Sequence, residues 1–275
     1  MLRFRNLFGN KKCNIIGMIH VGALPGTPRY EGSLRQLLDN ACKEAEIYRD
    51  CNVEGVILEN MHDVPYIQPK NMGPEITAHM TRICSEVRKI LPEKIHCGVQ
   101  VLASGNKEAL SIAQAAGLQF VRAEGFVFGH VADEGYTDAS AGTLLRYRTN
   151  IKAEEILIFT DIKKKHSSHA ITSDVSLQET AKAAEFFLSD GVIITGSSTG
   201  DPADVQQLSD VKKCTELPIL IGSGVTANNV KEYLKADGVI VGTHFKVNER
   251  WQNNVDPNKV LKFMDVINKL RNNEQ

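Results

Sequence analysis

Long hydrophobic runs are missing from this sequence. No apolar stretch approaches the roughly 18 to 20 residues needed to cross a bilayer, so no membrane role is expected. Net charge is missing too: 32 Lys and Arg stand against 33 Asp and Glu, a formal charge of -1 that gives no bulk attraction to nucleic acid or to an anionic surface. No basic stripe interleaved with aromatics supplies a nucleic-acid platform, and no nucleic-acid partner is expected. The six cysteines (Cys13, Cys42, Cys51, Cys84, Cys97 and Cys214) form no Cys-x-x-Cys pair, which excludes a zinc ribbon and makes reduced thiols in a cytoplasmic protein the expectation. Also absent is a Gly-x-Gly-x-x-Gly turn after the first strand-like run. Gly22-Ala-Leu-Pro-Gly26 stands there instead and weakens an open dinucleotide-binding sheet as the fold.

What is present is rhythm. Short β-branched runs recur eight times, at Ile15–Ile19, Val56–Leu58, Cys97–Leu102, Phe120–Val121, Ile156–Phe159, Val192–Thr195, Pro218–Ile221 and Val239–Val241. Amphipathic stretches separate them. Leu34, Leu37, Leu38, Ala41, Ala45 and Tyr48 share one helical face, as do Leu177, Ala181, Ala184 and Leu188. Ser33, Asp201 and Thr226 stand where helix N-caps would. Eight such units in 275 residues match an α/β fold, a closed (β/α)₈ TIM barrel, whose usual size is about 250 residues. Residues 1–13 are expected to be a flexible N-terminus and residues 14–275 a single barrel domain. The first twelve residues are basic, acid-free and weakly amphipathic, an ordinary solvated terminus or, alternatively, a short mitochondrial presequence. The stretch Gly129–Gly142 is irregular and reads as a surface loop, with an active-site lid as the alternative.

In such a barrel, chemistry belongs at the carboxyl ends of the strands, and alternation decides which side chains point inward. Strand by strand the inward sets are Ile16, Met18 and His20; Ile57 and Glu59; Gly98, Gln100 and Leu102; Phe120, Arg122 and Glu124; Leu157, Phe159, Asp161 and Lys163. Each is apolar low in the strand and polar at its upper end. Glu59, Glu124 and Asp161 are therefore candidate proton carriers, assisted by His20 and Lys163, while Arg122 and Gln100 would hold a substrate. The structural alternative is a ring of ion pairs, Glu124 with Arg122 and Asp161 with Lys163. His20, Glu59, Glu124 and Asp161 also offer the ligand types of a divalent metal, although no local His-x-x-His spacing supports one, and the cofactor stays open. Lys163 could instead act as a Schiff-base amine. After the last three strands come Thr195-Gly-Ser-Ser-Thr-Gly200, Gly222-Ser-Gly-Val-Thr226 and Gly242-Thr-His244. Glycine lets backbone N–H groups approach an anion, so Ser198, Gly222, Ser223, Gly224, Gly242 and Thr243 are expected to bind phosphate.

The same segments carry a family resemblance. Ile15-Ile-Gly-Met-Ile-His-Val-Gly-Ala-Leu-Pro-Gly-Thr-Pro28 resembles the opening signature of the BtpA family. The likeness continues through Gly55-Val-Ile-Leu-Glu-Asn-Met61, Phe120-Val-Arg-Ala-Glu124, Asp161-Ile-Lys-Lys-Lys-His166 and Ile219-Leu-Ile-Gly-Ser-Gly-Val225, and covers about residues 14–246. The resemblance implies a phosphate-binding barrel of the ribulose-phosphate-binding kind and a phosphorylated small molecule, a sugar phosphate or nucleotide, as partner. The reaction would be that of an isomerase, lyase or hydrolase. The family's cyanobacterial role in accumulating photosystem I implies the alternative, a non-catalytic assembly or stability factor. Homo-oligomerisation is left open.

Overall fold

The computed structural model describes residues 1–196 and 198–273. Eight strands form where the β-branched runs stand: β1 (Asn14–His20), β2 (Gly55–Glu59), β3 (His96–Gln100), β4 (Phe120–Ala123), β7 (Leu157–Ile162), β9 (Gly191–Ile194), β10 (Ile219–Ile221) and β11 (Gly238–Val241). All neighbours are parallel, and β11 pairs back onto β1 to close the barrel. The intervening numbers belong to a small antiparallel sheet at the mouth, β5 (His130–Ala132), β6 (Gly135–Thr137) and β8 (Ser167–Ser168). Around the barrel run α2 (Leu34–Asp50), α3 (Pro74–Ile90), α4 (Asn106–Ala116), α5 (Ala141–Asn150), α6 (Leu177–Phe186), α7 (Val205–Lys212) and α8 (Pro257–Asn273). After β10 the crossover is only a 3₁₀ turn, Val230–Tyr233.

Strand alternation separates two cores. Ile16, Met18, Ile57, Phe120, Leu157, Phe159, Ile193, Leu220 and Ile240 pack inside the barrel, while Ile15, Ile19, Val56, Leu58 and Val99 pack outward against the helices. Gly98 makes room for the interior: a Cβ there would lie 2.2 Å from the Phe120 ring. Ser33 caps α2 as expected, its hydroxyl accepting from the Gln36 amide at 3.2 Å. Asp204, not Asp201, caps α7. Leu188 lies beyond the end of α6 and is exposed, with a left-handed φ of 65° that takes it off the helical face.

The expected flexible terminus is instead, over Leu2–Phe8, a helix (α1) that closes the barrel floor. Phe4 and Phe8 are buried, their rings 4.8 Å apart, with Phe4 5.8 Å from Phe159 and Phe8 5.9 Å from Phe120. Arg3 anchors the helix outside by pairing with Asp190. A second anchor at the foot is Glu54, whose carboxylate accepts from Arg271 of α8 (3.1 Å to each oxygen), Lys11 (2.8 Å) and the Ile15 amide (2.8 Å). The foot is therefore fastened at both termini, and the open end of the barrel is the other one.

Candidate active site

A cavity of about 730 Å³ occupies the carboxyl ends of the strands. Of the residues expected there, it is lined by His20, Glu59, Gln100, Arg122 and Glu124 from β1 to β4 and just beyond, and by Gly222, Ser223, Gly224, Gly242 and Thr243 from the loops after β10 and β11. The irregular stretch after β4 is a hairpin: β5 and β6 pair with each other and β5 with β8, and Asp133 and Glu134 at the hairpin tip line the cavity.

Most charges at this mouth are paired, though not as alternation alone suggests. Arg122 makes a buried two-pronged bridge to Asp161, Nε to Oδ1 at 3.0 Å and Nη2 to Oδ2 at 2.9 Å. Asp161 is thereby turned away from the cavity, which it does not line. Glu124 accepts from the Ser104 amide at 3.0 Å and from Lys164 at 3.4 Å, and Lys164 reaches on to Glu134 at 3.2 Å. Burial works against the charge of Lys164, but Glu124 and Glu134 outweigh it and leave its pKa raised. Lys163 is not at the mouth. The strand ends at Ile162, Lys163 has a left-handed φ of 49°, and its ammonium donates to the Thr172 carbonyl at 2.9 Å. That break in the extended backbone resets the alternation and brings both Lys164 and Lys165 to the cavity wall.

A second set of groups leaves side-chain atoms without a bonded partner among the described residues. Glu59 is buried, its carboxyl group makes no hydrogen bond or ion pair to another described residue, and its pKa is pushed up to about 7. Burial is the main cause; Arg122 and Lys165 oppose it, and Glu124 and Asp161 add to it. The side-chain amine of Lys165 likewise bonds to no described residue, and its pKa is lowered, first by desolvation and then by Arg122. The side-chain amide oxygen of Gln100 and the hydroxyl of Thr195 are buried without a hydrogen-bond partner among the described residues. His20 is held by its Nδ1, 2.9 Å from the Trp251 carbonyl. A carbonyl only accepts, so Nδ1 carries the proton and Nε2 of the neutral ring is an acceptor beside the Gly242 turn. Desolvation and the nearby Lys246 charge depress the pKa of this imidazole. Lys164, Lys165, Glu134 and Trp251 are among the lining residues that strand alternation does not reach.

On the glycine-rich side, the backbone amides of Gly224, Val225, Thr243 and His244 have no hydrogen-bond partner among the described residues. Their loops are firmly held. The Ser223 hydroxyl accepts from the Gly196 amide at 2.6 Å and keeps its own hydrogen to donate. The Thr226 and Ala227 amides are tied to Asn229 (2.7 Å) and His244 (3.2 Å). Gly224 sits at φ +67°, and a Cβ there would lie 2.2 Å from the Pro202 nitrogen. Ser198 does not line the cavity; its hydroxyl bonds to Asp201. The segment Thr195–Gly200 includes Ser197, which lies outside the described residues. A divalent metal does not fit the acidic side as built: among the described residues no group of three or more His, Cys, Asp or Glu side chains converges to hold one. Asp161 is taken by Arg122, and Glu124 by Lys164.

Comparisons with known proteins extend over nearly the whole chain. The model of the BtpA family matches residues 11–269. An uncharacterized mitochondrial protein of Caenorhabditis elegans is 48% identical over 96% of each chain, and an uncharacterized protein of Archaeoglobus fulgidus is 37% identical over 84% of this chain and 91% of its own. The photosystem I biogenesis protein BtpA of Synechocystis is 28% identical, covering 92% of this chain and 87% of its own. Among solved structures, phosphoribosyl anthranilate isomerase of Thermus thermophilus superposes with a TM-score of 0.57 at 10% identity, over 94% of this chain and 99% of that one. KGPDC of Streptococcus mutans in complex with D-R5P gives 0.58 at 13% identity, over 94% and 98%. At those identities the likeness is one of fold. Among the described residues, no helix is long and apolar enough to cross a membrane.

Proposed function

This chain belongs to the BtpA family, and from that premise we propose that it is an enzyme acting on a small phosphorylated metabolite, a sugar phosphate or nucleotide, by proton transfer at the barrel mouth. One observation carries the reading: four residues whose backbone amides have no partner among the described residues line the same cavity as Glu59, whose buried carboxyl group has none either. The amides of Gly224, Val225, Thr243 and His244, with the Ser223 hydroxyl, take the phosphate, because amides fixed by their loops bind an anion without having to be reorganised. Glu59 moves the proton. With its pKa near 7 it holds or releases a proton at neutral pH, which is what a general acid or base requires. Gln100 and His20 Nε2 accept hydrogen bonds from substrate hydroxyls or ring N–H groups. The Arg122–Asp161 and Lys164–Glu124 bridges keep fixed charges around the reacting centre, in positioning roles.

The fold neighbours support the substrate class: a phosphoribosyl anthranilate isomerase and a protein crystallised with D-R5P share the barrel. Isomerisation, lysis and hydrolysis all use the groups present. We place the chain in the cytoplasm, with the mitochondrion named for the worm relative as the alternative that cell fractionation decides. The test of function is a thermal-shift screen of phosphorylated metabolites against the wild type and Glu59→Gln. Binding by both, with turnover by the wild type alone, is the expected result. No phosphorylated ligand stabilising either protein, together with Glu59→Gln retaining the cellular phenotype, would overturn the enzyme reading in favour of an assembly factor.

A further inference from the structure

We propose that the substrate of this site carries a ketone or aldehyde group as well as its phosphate, and that Lys165 is the amine that condenses with it to a Schiff base. The inference rests on the reading of the mouth as a phosphate site and adds the reacting group. The three consecutive lysines after β7 have three different fates. Lys163 donates to the Thr172 carbonyl, outside the cavity, and Lys164 bridges Glu124 and Glu134. Of the three, only Lys165 reaches the cavity wall with a side-chain amine that bonds to no described residue. A lysine kept there only for its charge would gain by pairing with a carboxylate, as Lys164 does. Glu59, a wall carboxyl whose side chain bonds to no described residue, is near enough to influence Lys165 and yet is not bonded to it.

Burial, more than the neighbouring charges, shifts both groups toward their neutral forms. Around Lys165 stand Arg122, which disfavours its ammonium, and Glu59, Asp161 and Glu124, which favour it; desolvation outweighs these carboxylates. Its chain neighbours Lys164 and His166 also line the cavity. Arg122 and Asp161 neutralise each other, as do Lys164 and Glu124, so the field at Lys165 is that of paired charges. A neutral amine beside a protonated carboxyl group is the pair that imine formation needs. The amine nitrogen attacks the carbonyl carbon, and a proton passes from nitrogen to the former carbonyl oxygen. Glu59 then protonates that hydroxyl, the C–O bond breaks, and water leaves. The products are a protonated imine on Lys165 and an ionised Glu59, which is placed to take the next proton from the substrate carbon. No oxidant, reductant or metal is consumed.

The test is reductive trapping on the full chain. The protein is incubated near pH 7 with ribose 5-phosphate or dihydroxyacetone phosphate and sodium cyanoborohydride, and its intact mass is measured. The expected product is a single adduct, heavier than the protein by the mass of the ligand less one oxygen. Peptide mapping should place it on Lys165, inorganic phosphate should suppress it, and Lys165→Arg should lack it. Glu59→Gln should slow it by about tenfold or more. Mapping on the wild type makes the result independent of how any variant folds. An adduct spread over exposed lysines, or retained by Lys165→Arg, overturns the imine. No adduct while inorganic phosphate still stabilises the protein overturns the imine alone. No stabilisation by phosphate in either protein overturns the reading of the mouth on which it rests.

Discussion

Glu59 should write its protonation into the stability of the whole fold. Its pKa is near 7 in the folded protein and near 4.5 when unfolded, so between those values the folded state holds more protons and stability falls as pH rises. The contribution amounts to about 3 kcal/mol once pH exceeds the folded value. Glu59→Gln removes it: the variant should match the wild type near pH 4.5 and be more stable by about 1 to 3 kcal/mol at pH 8. Urea unfolding at the two pH values measures the difference, and a pH-independent gap would show that burial does not perturb this carboxyl. The Arg122–Asp161 bridge behaves oppositely. Asp161→Asn leaves a buried guanidinium without its counter-charge and should cost about 3 to 5 kcal/mol, whereas replacing both partners with apolar residues should cost less. Denaturant midpoints of the single and double variants test that order.

These residues also show how far a sequence reveals a site. Glu59, Gln100, Arg122 and Glu124 were legible because each stands two positions past another inward-facing residue, Ile57, Gly98, Phe120 and Arg122 in turn, on an extended strand or just beyond its end, and period-two alternation carries that far. Lys163 follows the same count and is misplaced by it, since alternation holds only while φ stays extended and Lys163 is left-handed. Asp161 was placed on the correct face. Its role was not legible, because a partner 39 positions away in sequence takes both of its oxygens.

At the scale of elements, α1 and the mouth hairpin escaped the sequence for a common reason: their partners are remote in the chain. A seven-residue helix has little stability of its own, and the rings that receive Phe4 and Phe8 belong to Phe120 and Phe159. Docking on them makes the helix. Phe4→Ala should therefore lower stability by about 3 kcal/mol or more, read from urea unfolding, as for a large ring removed from a core. A shift below about 1 kcal/mol would mean that the floor stays closed without it. The hairpin of β5 and β6 is tethered by Lys164, which ties Glu134 at its tip to Glu124 above β4. Lys164→Met should raise amide hydrogen exchange across residues 130–137 and 167–168 by about tenfold or more while leaving β1 to β4 protected. Equal rates in the two proteins would assign the tether to the strand pairing alone.

Over the whole molecule, a net charge of -1 conceals two cation-lined cavities at opposite ends of the barrel. At the mouth the cations are balanced by carboxylates. At the foot a cleft of about 980 Å³ gathers Arg5, Lys11, Lys12, Lys212, Lys213, Lys231 and Lys235, with Glu232 and Asp237 the acidic residues among its described lining. Phosphate binding by the protein is thus not yet phosphate binding by the mouth. The two differ in what they are made of, since the mouth offers fixed amides and the foot offers screened side-chain charge. Gly224→Ala places a Cβ against the Pro202 backbone and forces a left-handed alanine, so it should abolish the stabilisation by phosphate. The double variant Lys231→Glu, Lys235→Glu should leave that stabilisation intact. At phosphate a hundredfold above its dissociation constant the wild type should gain about 2.7 kcal/mol, and the gain should survive 0.5 M sodium chloride because it rests on hydrogen bonds. If salt removes it, and the foot variant loses it while Gly224→Ala keeps it, the anion belongs to the foot.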